Sequence, residues 1–361
     1  MAEALESGKQ VIDMILEKCR KMKVSDLHFS ANLPPILRKN GKLEYMTEVE
    51  ALSPEQIELL ANAMLYQREL EYKTDEDHDI CYVAADGNRN RVNIYTQYGA
   101  PAAAIRLLND EIPTIDELGL PELFKELATM PRGLLLVTGP TGSGKSTTLA
   151  AMINHINLNK ANHILTFEDP IEYKHSHKKS MVNQREIGVD VNSFAGALKS
   201  ALREDPDVIL VGEMRDLETT ESAVTAAETG HFVMSTLHTT GAASTIDRIV
   251  DQFPASQQEQ MRVLLSQVLK GVITQTLLPK ADGSGRVAAF EIMICTDAIS
   301  NMIRENKCHQ IASALQTGQK LGMQSLDMHI AQLINSNIIT YEAGIEKCVD
   351  ETVLHQYLNK K

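Results

Sequence analysis

Hydrophobic residues form short, nearly continuous runs in the second part of the chain. These runs cover residues 134–138, 164–167, 208–211 and 232–237. Segments with helical spacing separate them, and this alternation is typical of buried parallel strands that are joined by helices. The pattern predicts an α/β domain with a parallel sheet.

The first hundred residues show a different pattern, in which hairpins alternate with helices. Apolar residues within 7–22 have the spacing of an amphipathic helix. Asn40-Gly41, which predicts a type I′ turn, and Asp86-Gly87 each separate two extended runs, as in β-hairpins. Residues 53–56 (Ser-Pro-Glu-Gln) predict a helix start, with Ser as the cap and Gln in the capping-box position. We therefore predict a small α+β domain here.

A linker is predicted between these two parts. Residues 111–121 contain two prolines, one glycine and several acidic residues. We place an N-terminal domain at residues 1–112 and a second domain at 113–361. The last part of the second domain, from about residue 298 to 361, has helical spacing.

A phosphate-binding motif directly follows the first apolar run. Residues 139–147 read Gly-Pro-Thr-Gly-Ser-Gly-Lys-Ser-Thr, which fits G-x-x-x-x-G-K-[ST] between a strand and a helix. Glycines let the backbone turn its N–H groups toward phosphate oxygens, and the helix N-terminus favours negative charge. We predict that ATP is bound by Gly139, Thr141, Gly142, Ser143, Gly144, Lys145, Ser146 and Thr147.

Two side chains of this motif carry specific chemistry. The Lys145 ammonium is suited to the β- and γ-phosphates, and the Ser146 hydroxyl is suited to Mg²⁺. ATP and Mg²⁺ are therefore the expected cofactors.

Polar side chains follow the other three apolar runs, at the point where each run ends. They are Glu168, Glu213 and His238. Ligands of parallel sheets bind at the carboxyl ends of the strands, so these three side chains are expected near the phosphate loop.

Glu213 is the candidate that polarises the attacking water. Many phosphate-loop enzymes have an Asp at the end of this strand to hold Mg²⁺, and here that position is Gly212. Mg²⁺ then depends on Ser146, the phosphates and water, with help from Glu168. Whether Glu168 or its neighbour Asp169 is the active carboxylate stays open.

His238 is a candidate for a hydrogen bond to the γ-phosphate. His231 lies seven residues earlier, at the other end of the same run, so the two histidines need not act together. A charge-spread transition state also favours an arginine. The candidates are Arg89 and Arg91, which alternate onto one strand face, and Arg106.

Composition limits the other possibilities. With 361 residues and 43% hydrophobic content, two or three globular domains are expected. The net charge of −13 argues against nucleic acid as a partner. Five cysteines without a C-x-x-C pair favour a reducing compartment. No segment resembles a signal peptide or a membrane span, so a cytoplasmic protein is expected.

Four motifs, in order, resemble those of the secretion and type IV pilus motor ATPase superfamily. They are the phosphate loop, the Asp box at residues 165–173, the atypical Walker B motif at 207–216 and the His box at 231–238. Within the superfamily the chain is similar to the PilT family of type IV pilus retraction ATPases. Segments 25–30, 33–36, 298–304 and 322–326 resemble further motifs of that family.

The resemblance implies a PAS-like N-terminal α+β domain and a RecA-like ATPase domain with C-terminal helices. It implies a catalytic role for Glu213, with Glu168, His231 and His238 facing the nucleotide and N-terminal arginines reaching the phosphates. It also implies a homo-hexamer that docks on an inner-membrane pilus platform protein at the cytoplasmic face of the membrane. A second pilus motor ATPase is a further partner that it suggests.

One residue departs from the family pattern. Ser300 stands where the retraction motif has its first arginine, so an accessory, PilU-like retraction motor stays an alternative. Extension and secretion ATPases share the four motifs, but they typically have a long N-terminal extension and a four-cysteine loop. A non-hydrolysing scaffold is disfavoured by the presence of Lys145, Ser146 and Glu213.

Overall fold

The computed structural model describes residues 2–39, 41–108 and 112–358. The chain divides into two compact units, Met1–Glu111 and Ile112–Lys361. The predicted assignment of two domains that meet between residues 112 and 113 stays a prediction. The type I′ turn predicted at Asn40-Gly41 includes Asn40, which lies outside the described residues.

The first unit is built on one antiparallel sheet. Its strands are β1 (Asp26–Phe29), β2 (Ile36–Lys39), β3 (Lys42–Tyr45), β4 (His78–Val83), β5 (Arg89–Gln97) and β6 (Ala100–Leu107). Their order in the sheet is β3-β2-β1-β6-β5-β4, and every pairing is antiparallel. The helices are α1 (Ala2–Lys21) and α2 (Pro54–Leu65), and a 3₁₀ turn follows at Tyr66–Arg68. This is the α+β architecture that the sequence predicts.

Both helices bury an apolar face against the sheet. Leu16 from α1 and Met64 from α2 are fully buried with Val92 and Ile94 of β5. Each such side chain contributes about 1.5–3 kcal/mol when it leaves water. The predicted capping box is present, because the Ser53 hydroxyl accepts from Gln56 N and the Gln56 side chain accepts from Ser53 N.

The second unit contains a seven-stranded sheet flanked by helices. Its strands are β7 (Gly133–Thr138), β8 (His163–Glu168), β9 (Met181–Glu186), β10 (Val208–Val211), β11 (Phe232–Leu237), β12 (Leu269–Pro279) and β13 (Arg286–Ile294). Its helices are α3 (Leu123–Ala128), α4 (Lys145–Asn159), α5 (Phe194–Ala201), α6 (Leu217–Glu228), α7 (Ala242–Asp251), α8 (Ala255–Val268), α9 (Asp297–Arg304), α10 (Ile311–Thr317), α11 (Leu326–Asn335), α12 (Tyr341–Lys347) and α13 (Glu351–Leu358). Short 3₁₀ turns lie at Cys308–Gln310 and Gln319–Leu321.

The sheet order is β13-β12-β7-β11-β10-β8-β9, with β13 antiparallel to its neighbour and the other pairings parallel. Alternate residues of β7 enter two cores on opposite faces. Leu134 and Leu136 pack in one core, and Leu135 and Val137 pack in the other. A strand covered on both faces reads as a continuous apolar run, which explains why the sequence identifies it.

The C-terminal part is helical, as the sequence predicts. Leu326, Ile330 and Leu333 of α11 are buried together with Leu278 of β12 and Ala289 of β13. Among the residues that the structure describes, no helix is both long and apolar enough to cross a membrane.

Candidate nucleotide-binding and hydrolysis site

The phosphate loop joins β7 to α4, as the sequence predicts. Gly139, Gly142 and Gly144 have φ values of 136°, 78° and 88°. Residues that carry a side chain rarely adopt such φ values, so glycine is favoured at all three positions. A Cβ on Gly139 would also lie 2.2 Å from the carbonyl oxygen of Gln275 on β12, which leaves no room for another residue.

Lys145 turns back into this loop. Its side chain Nζ donates to the carbonyl oxygens of Gly139 at 2.8 Å and Pro140 at 3.1 Å. The residue is only 8% exposed. Burial lowers the pKa of Lys145, while the nearby carboxylates of Glu213 and Glu172 act in the opposite direction. The ammonium group is therefore held among loop carbonyls and is suited to an anionic ligand.

The loop hydroxyls make contacts on two sides. Thr141 Oγ1 lies 3.4 Å from His238 Nδ1, and Thr147 Oγ1 lies 2.8 Å from the Tyr173 hydroxyl. Ser146 is half-buried in the first turn of α4, and Ser143 is buried just before the helix. All the predicted ATP-binding residues thus belong to one loop and helix start.

The order of the strands brings the predicted acid and histidine side chains to one edge of the sheet. In the register, Leu237 of β11 pairs with Thr138 of β7, and Val211 of β10 pairs with Phe167 of β8. Glu168, Glu213 and His238 therefore leave the sheet at the edge where the phosphate loop begins. We call this the carboxyl edge.

The Glu213 carboxylate contacts two basic side chains, His238 and Arg215. Its Oε1 lies 3.2 Å from His238 Nε2, and its Oε2 lies 2.8 Å from Arg215 Nε. The Glu213 side chain is 16% exposed. Because His238 also approaches Thr141, a polar chain runs from the phosphate loop through His238 to Glu213.

Glu168 is the last residue of β8 and is held from its own side of the sheet. Its Oε1 accepts from Thr166 Oγ1 at 2.7 Å and from Gln184 Nε2 at 3.2 Å. Gln184 also donates to the carbonyl oxygen of Tyr173 at 2.8 Å, which connects Glu168 to the loop after β8.

At Gly212 two backbone segments come close together. Its N–H donates to the Phe167 carbonyl oxygen at 2.8 Å. A Cβ on Gly212 would lie 3.2 Å from that oxygen and 3.4 Å from the Glu168 Cα. Such contacts are tight, so a side chain at this position would require the neighbouring backbone to shift by a few tenths of an ångström.

His231 does not join the carboxyl edge of this chain. It precedes β11, where its Nδ1 lies 3.0 Å from the Ala226 carbonyl oxygen. Its own carbonyl oxygen accepts from the N–H of Gly133 at the start of β7. A strand of this length spans roughly 20 Å, so His231 lies at the opposite edge of the sheet from His238. The nucleotide-facing role implied for His231 stays a prediction.

The three candidate arginines share one face of the first unit's sheet. Arg91 of β5 pairs in register with Arg106 of β6, and Arg89 alternates onto the same face. Arg91 binds Asp79 through Nη2 at 2.6 Å, and Arg106 binds Asp26 through Nε at 2.9 Å. The face opposite to the core therefore carries these arginines, and their catalytic role stays a prediction.

Sequence reasoning missed Gln275, Tyr173 and Arg215. Gln275 lies inside β12, a strand that the apolar runs did not reveal, and its polar side chain is 3% exposed. The only sequence signal for Gln275 is its polar side chain within a largely apolar segment, Leu269–Pro279.

A cavity of about 850 Å³ adjoins the phosphate loop within the second unit. It starts at Gly144, Thr147 and Thr148 and extends between the segment 116–121 and the β12–β13 hairpin. Lys280 and Arg286 contribute positive charge to its lining, and Leu277 and Val287 contribute apolar surface. Negative charge comes from Asp116, Glu117 and Asp282. A cavity with both charged and apolar lining is typical of small-molecule sites.

Comparison with known proteins agrees with this geometry. A model of the family described as type II/IV secretion system protein matches residues 6–356. The type IV pilus retraction ATPase PilT of Pseudomonas aeruginosa is 50% identical over 93% of this chain and 97% of its own length. The type IV pilus ATPase PilU of the same organism is 39% identical over 89% of this chain and 84% of its own length.

A solved structure of the pilus retraction motor PilT with bound ADP has a TM-score of 0.87 and 46% identity, and covers 96% of this chain and 99% of that one. The fold and the site define a P-loop ATPase with a RecA-like domain, as the sequence predicts. The chain belongs to the family of type II/IV secretion system proteins. The predicted resemblance to pilus retraction ATPases is confirmed.

Proposed function

We propose that this chain is a motor ATPase that couples ATP hydrolysis to the retraction of type IV pili. One observation carries the proposal: Glu213 lies within 3.2 Å of His238 beside a complete phosphate loop. A carboxylate in this position can polarise water next to a bound γ-phosphate. The identity to PilT of Pseudomonas aeruginosa over nearly the whole chain supports retraction as the work that is done.

The nucleotide would lie along the start of α4. The N–H groups of residues 142–147 and the Lys145 ammonium would bind the phosphates, with the γ-phosphate toward Glu213 and His238. The α-phosphate would then lie near Thr147, next to the cavity of about 850 Å³. We propose that this cavity receives the nucleoside.

The residues at the site suit Mg²⁺ as the cofactor. Oxygen ligands are those that Mg²⁺ prefers, and the Ser146 hydroxyl and the Glu168 carboxylate offer them near the loop. Gly212 offers none, so most ligands would be phosphate oxygens and water. When bound, Mg²⁺ would neutralise charge on the phosphates.

Hydrolysis needs a positioned water and a stabilised phosphoryl group. Glu213 would accept the proton of the water. His238 would position Glu213 through Nε2 and would also contact the γ-phosphate. Arg89, Arg91 and Arg106 are proposed to supply positive charge to the transition state, from the same or a neighbouring subunit.

We further propose that the motor is a homo-hexamer at the cytoplasmic face of the inner membrane. A pilus platform protein is the proposed partner that receives the force. Staggered closing and opening of subunits around the ring would convert hydrolysis into movement, since a two-state interface is a common route for such coupling.

Ser300 leaves a second version of this function open, namely an accessory, PilU-like motor. Ser300 lies on α9, half-buried, with its Oγ 3.4 Å from Cys295 Sγ. The retraction motif has an arginine at this position, so this chain offers no positive charge there. An accessory motor would hydrolyse ATP but would need a second motor to retract pili.

The test is complementation of a strain that lacks its retraction ATPases, with twitching motility and surface pili as the readouts. The unmodified chain and the Ser300→Arg variant would be expressed at equal levels. The proposal predicts that the unmodified chain restores twitching. Restoration only by Ser300→Arg would favour the accessory motor, and restoration by neither variant would contradict retraction driven by this chain alone.

A further inference from the structure

A buried side chain from the neighbouring strand holds the phosphate loop. Gln275 Nε2 donates to the carbonyl oxygen of Ser143 at 2.7 Å. Gln275 Oε1 accepts from Thr148 Oγ1, also at 2.7 Å. A single amide thus binds both the last part of the loop and the first turn of α4.

The loop also lies against Gln275 at its two ends. A Cβ on Gly139 would lie 2.2 Å from the Gln275 carbonyl oxygen, and a Cβ on Gly144 would lie 2.8 Å from Gln275 Nε2. The first glycine of the motif and its last are therefore both packed on one residue. The conformation of the loop depends on this contact as well as on the freedom of glycine.

The hydrogen bond to the Ser143 carbonyl also sets the direction of a backbone N–H that can donate to a phosphate. In a trans peptide the C=O and the following N–H point in opposite directions. Because Gln275 holds the Ser143 carbonyl, the N–H of Gly144 is directed to the other side of the loop. N–H groups on that side are the ones that bind phosphate in such loops.

We infer that Gln275 is a positioning residue for the nucleotide, one that keeps the phosphate loop in its binding conformation through its bonds to Ser143 and Thr148. This inference rests on the proposed binding of ATP. Only a group with both a donor and an acceptor makes the two bonds, so an ionised glutamate would bind Thr148 but not the Ser143 carbonyl. At a buried position the lost bond leaves that carbonyl unsatisfied.

The test is calorimetric titration of the full chain with Mg-ADP. Gln275→Met keeps the side-chain length but removes both bonds, and we expect its affinity to fall roughly tenfold to hundredfold. Gln252→Met is the matched control, because Gln252 accepts from Thr220 Oγ1 at the end of α7, away from the phosphate loop. The control is expected to bind ADP as the unmodified chain does.

The Gln275→Glu variant distinguishes an effect on the position of the phosphate loop from an effect on the stability of the protein. A protonated carboxyl can donate to the Ser143 carbonyl, so the affinity lost at about pH 8 should return, relative to the unmodified chain, toward about pH 5.5. Gln275→Met should show no such recovery. An effect on stability alone would lower the melting temperature without this pH-dependent affinity.

Equal ADP affinity of Gln275→Met and the unmodified chain would overturn the inference, as would a Gln275→Glu affinity that is reduced to the same extent at about pH 8 and about pH 5.5. If Gln275→Met does not fold, Thr148→Val and Thr148→Ser test the same bond. Only the valine variant should lose affinity, by about tenfold, and equal affinities of the two would also overturn the inference. Absence of ADP binding by the unmodified chain would instead contradict the proposed function.

Discussion

The imidazole of His238 connects the Glu213 carboxylate to the phosphate loop. Its Nε2 lies 3.2 Å from Glu213 Oε1, and its Nδ1 lies 3.4 Å from Thr141 Oγ1. A nucleotide that binds at Thr141 therefore sits one side chain away from the proposed base. From this arrangement we expect His238 to affect the rate of ATP hydrolysis more than the affinity for the nucleotide.

The first prediction concerns Glu213. Glu213→Gln keeps the size and one acceptor of the side chain but removes the base, so turnover should fall by about a hundredfold or more. ADP affinity should change little, because the phosphate loop is untouched. Steady-state ATPase rates and ADP titration measure the two effects. The exposed Glu221 offers the control, Glu221→Gln, which should hydrolyse ATP normally. An unchanged rate in Glu213→Gln would exclude Glu213 as the base.

The second prediction concerns His238. His238→Ala removes both contacts of the imidazole, and we expect kcat to fall roughly tenfold to hundredfold, or about 1.4–2.7 kcal/mol in the barrier. The affinity for ADP should stay within about twofold, since the loop keeps its N–H groups and Lys145. His309→Ala, at an exposed position, is the control. A loss of ADP affinity as large as the loss of kcat would assign His238 to binding instead.

The third prediction compares two glycines of the phosphate loop. Gly139→Ala adds a Cβ 2.2 Å from a carbonyl oxygen at a φ of 136°. Gly142→Ala adds one with no atom within 4 Å, at a φ of 78°. We expect the alanine at 139 to destabilise the unit by about 3 kcal/mol and the alanine at 142 by about 1 kcal/mol.

Urea unfolding without nucleotide measures this difference. Gly283→Ala is a control for the cost of backbone angle alone, because its φ is 72° and its surroundings are equally open. Similar midpoints for the variants at 139 and 142 would mean that the contact with Gln275 does not shape the loop.

The fourth prediction concerns pH. Burial lowers the pKa of His175 to about 4, so the folded protein holds this side chain neutral. Its contribution to stability is complete above the ordinary pKa of 6.5 and is lost as the pH falls toward 4. At pH 5 the loss is about 2 kcal/mol.

His175→Met cannot be protonated, so its melting temperature should decrease less between about pH 7.5 and pH 5 than that of the unmodified chain. The exposed His309 again gives the control, His309→Met, which should keep the original pH dependence. Parallel curves for His175→Met and the unmodified chain would show that another group causes the acid sensitivity.

The sequence predicts the parts of the fold and of the site that depend on local patterns. The phosphate loop follows from glycines and Lys145 between an apolar run and a helix, and the capping box at Ser53 follows from four adjacent residues. The direction of the strands already separates His231 from His238, which the structure places at opposite edges.

The remaining parts depend on contacts between distant segments. Gln275 and Ser143 are 132 residues apart, and no local sequence pattern predicts the hydrogen bond between them. β9 was missed because its sequence, Met-Val-Asn-Gln-Arg-Glu, is mostly polar at the edge of the sheet. The ion pair of Arg215 with Glu213 depends on side-chain directions after β10, which periodicity does not define.

The most direct test of the central claim measures pilus retraction in cells that depend on this chain. A strain without its own retraction ATPases would express the unmodified chain, Glu213→Gln or Glu221→Gln at equal levels, and twitching rates would be recorded. We predict normal twitching with the unmodified chain and with Glu221→Gln, and none with Glu213→Gln despite intact ADP binding. Twitching restored by Glu213→Gln would contradict the claim that hydrolysis at this site drives retraction.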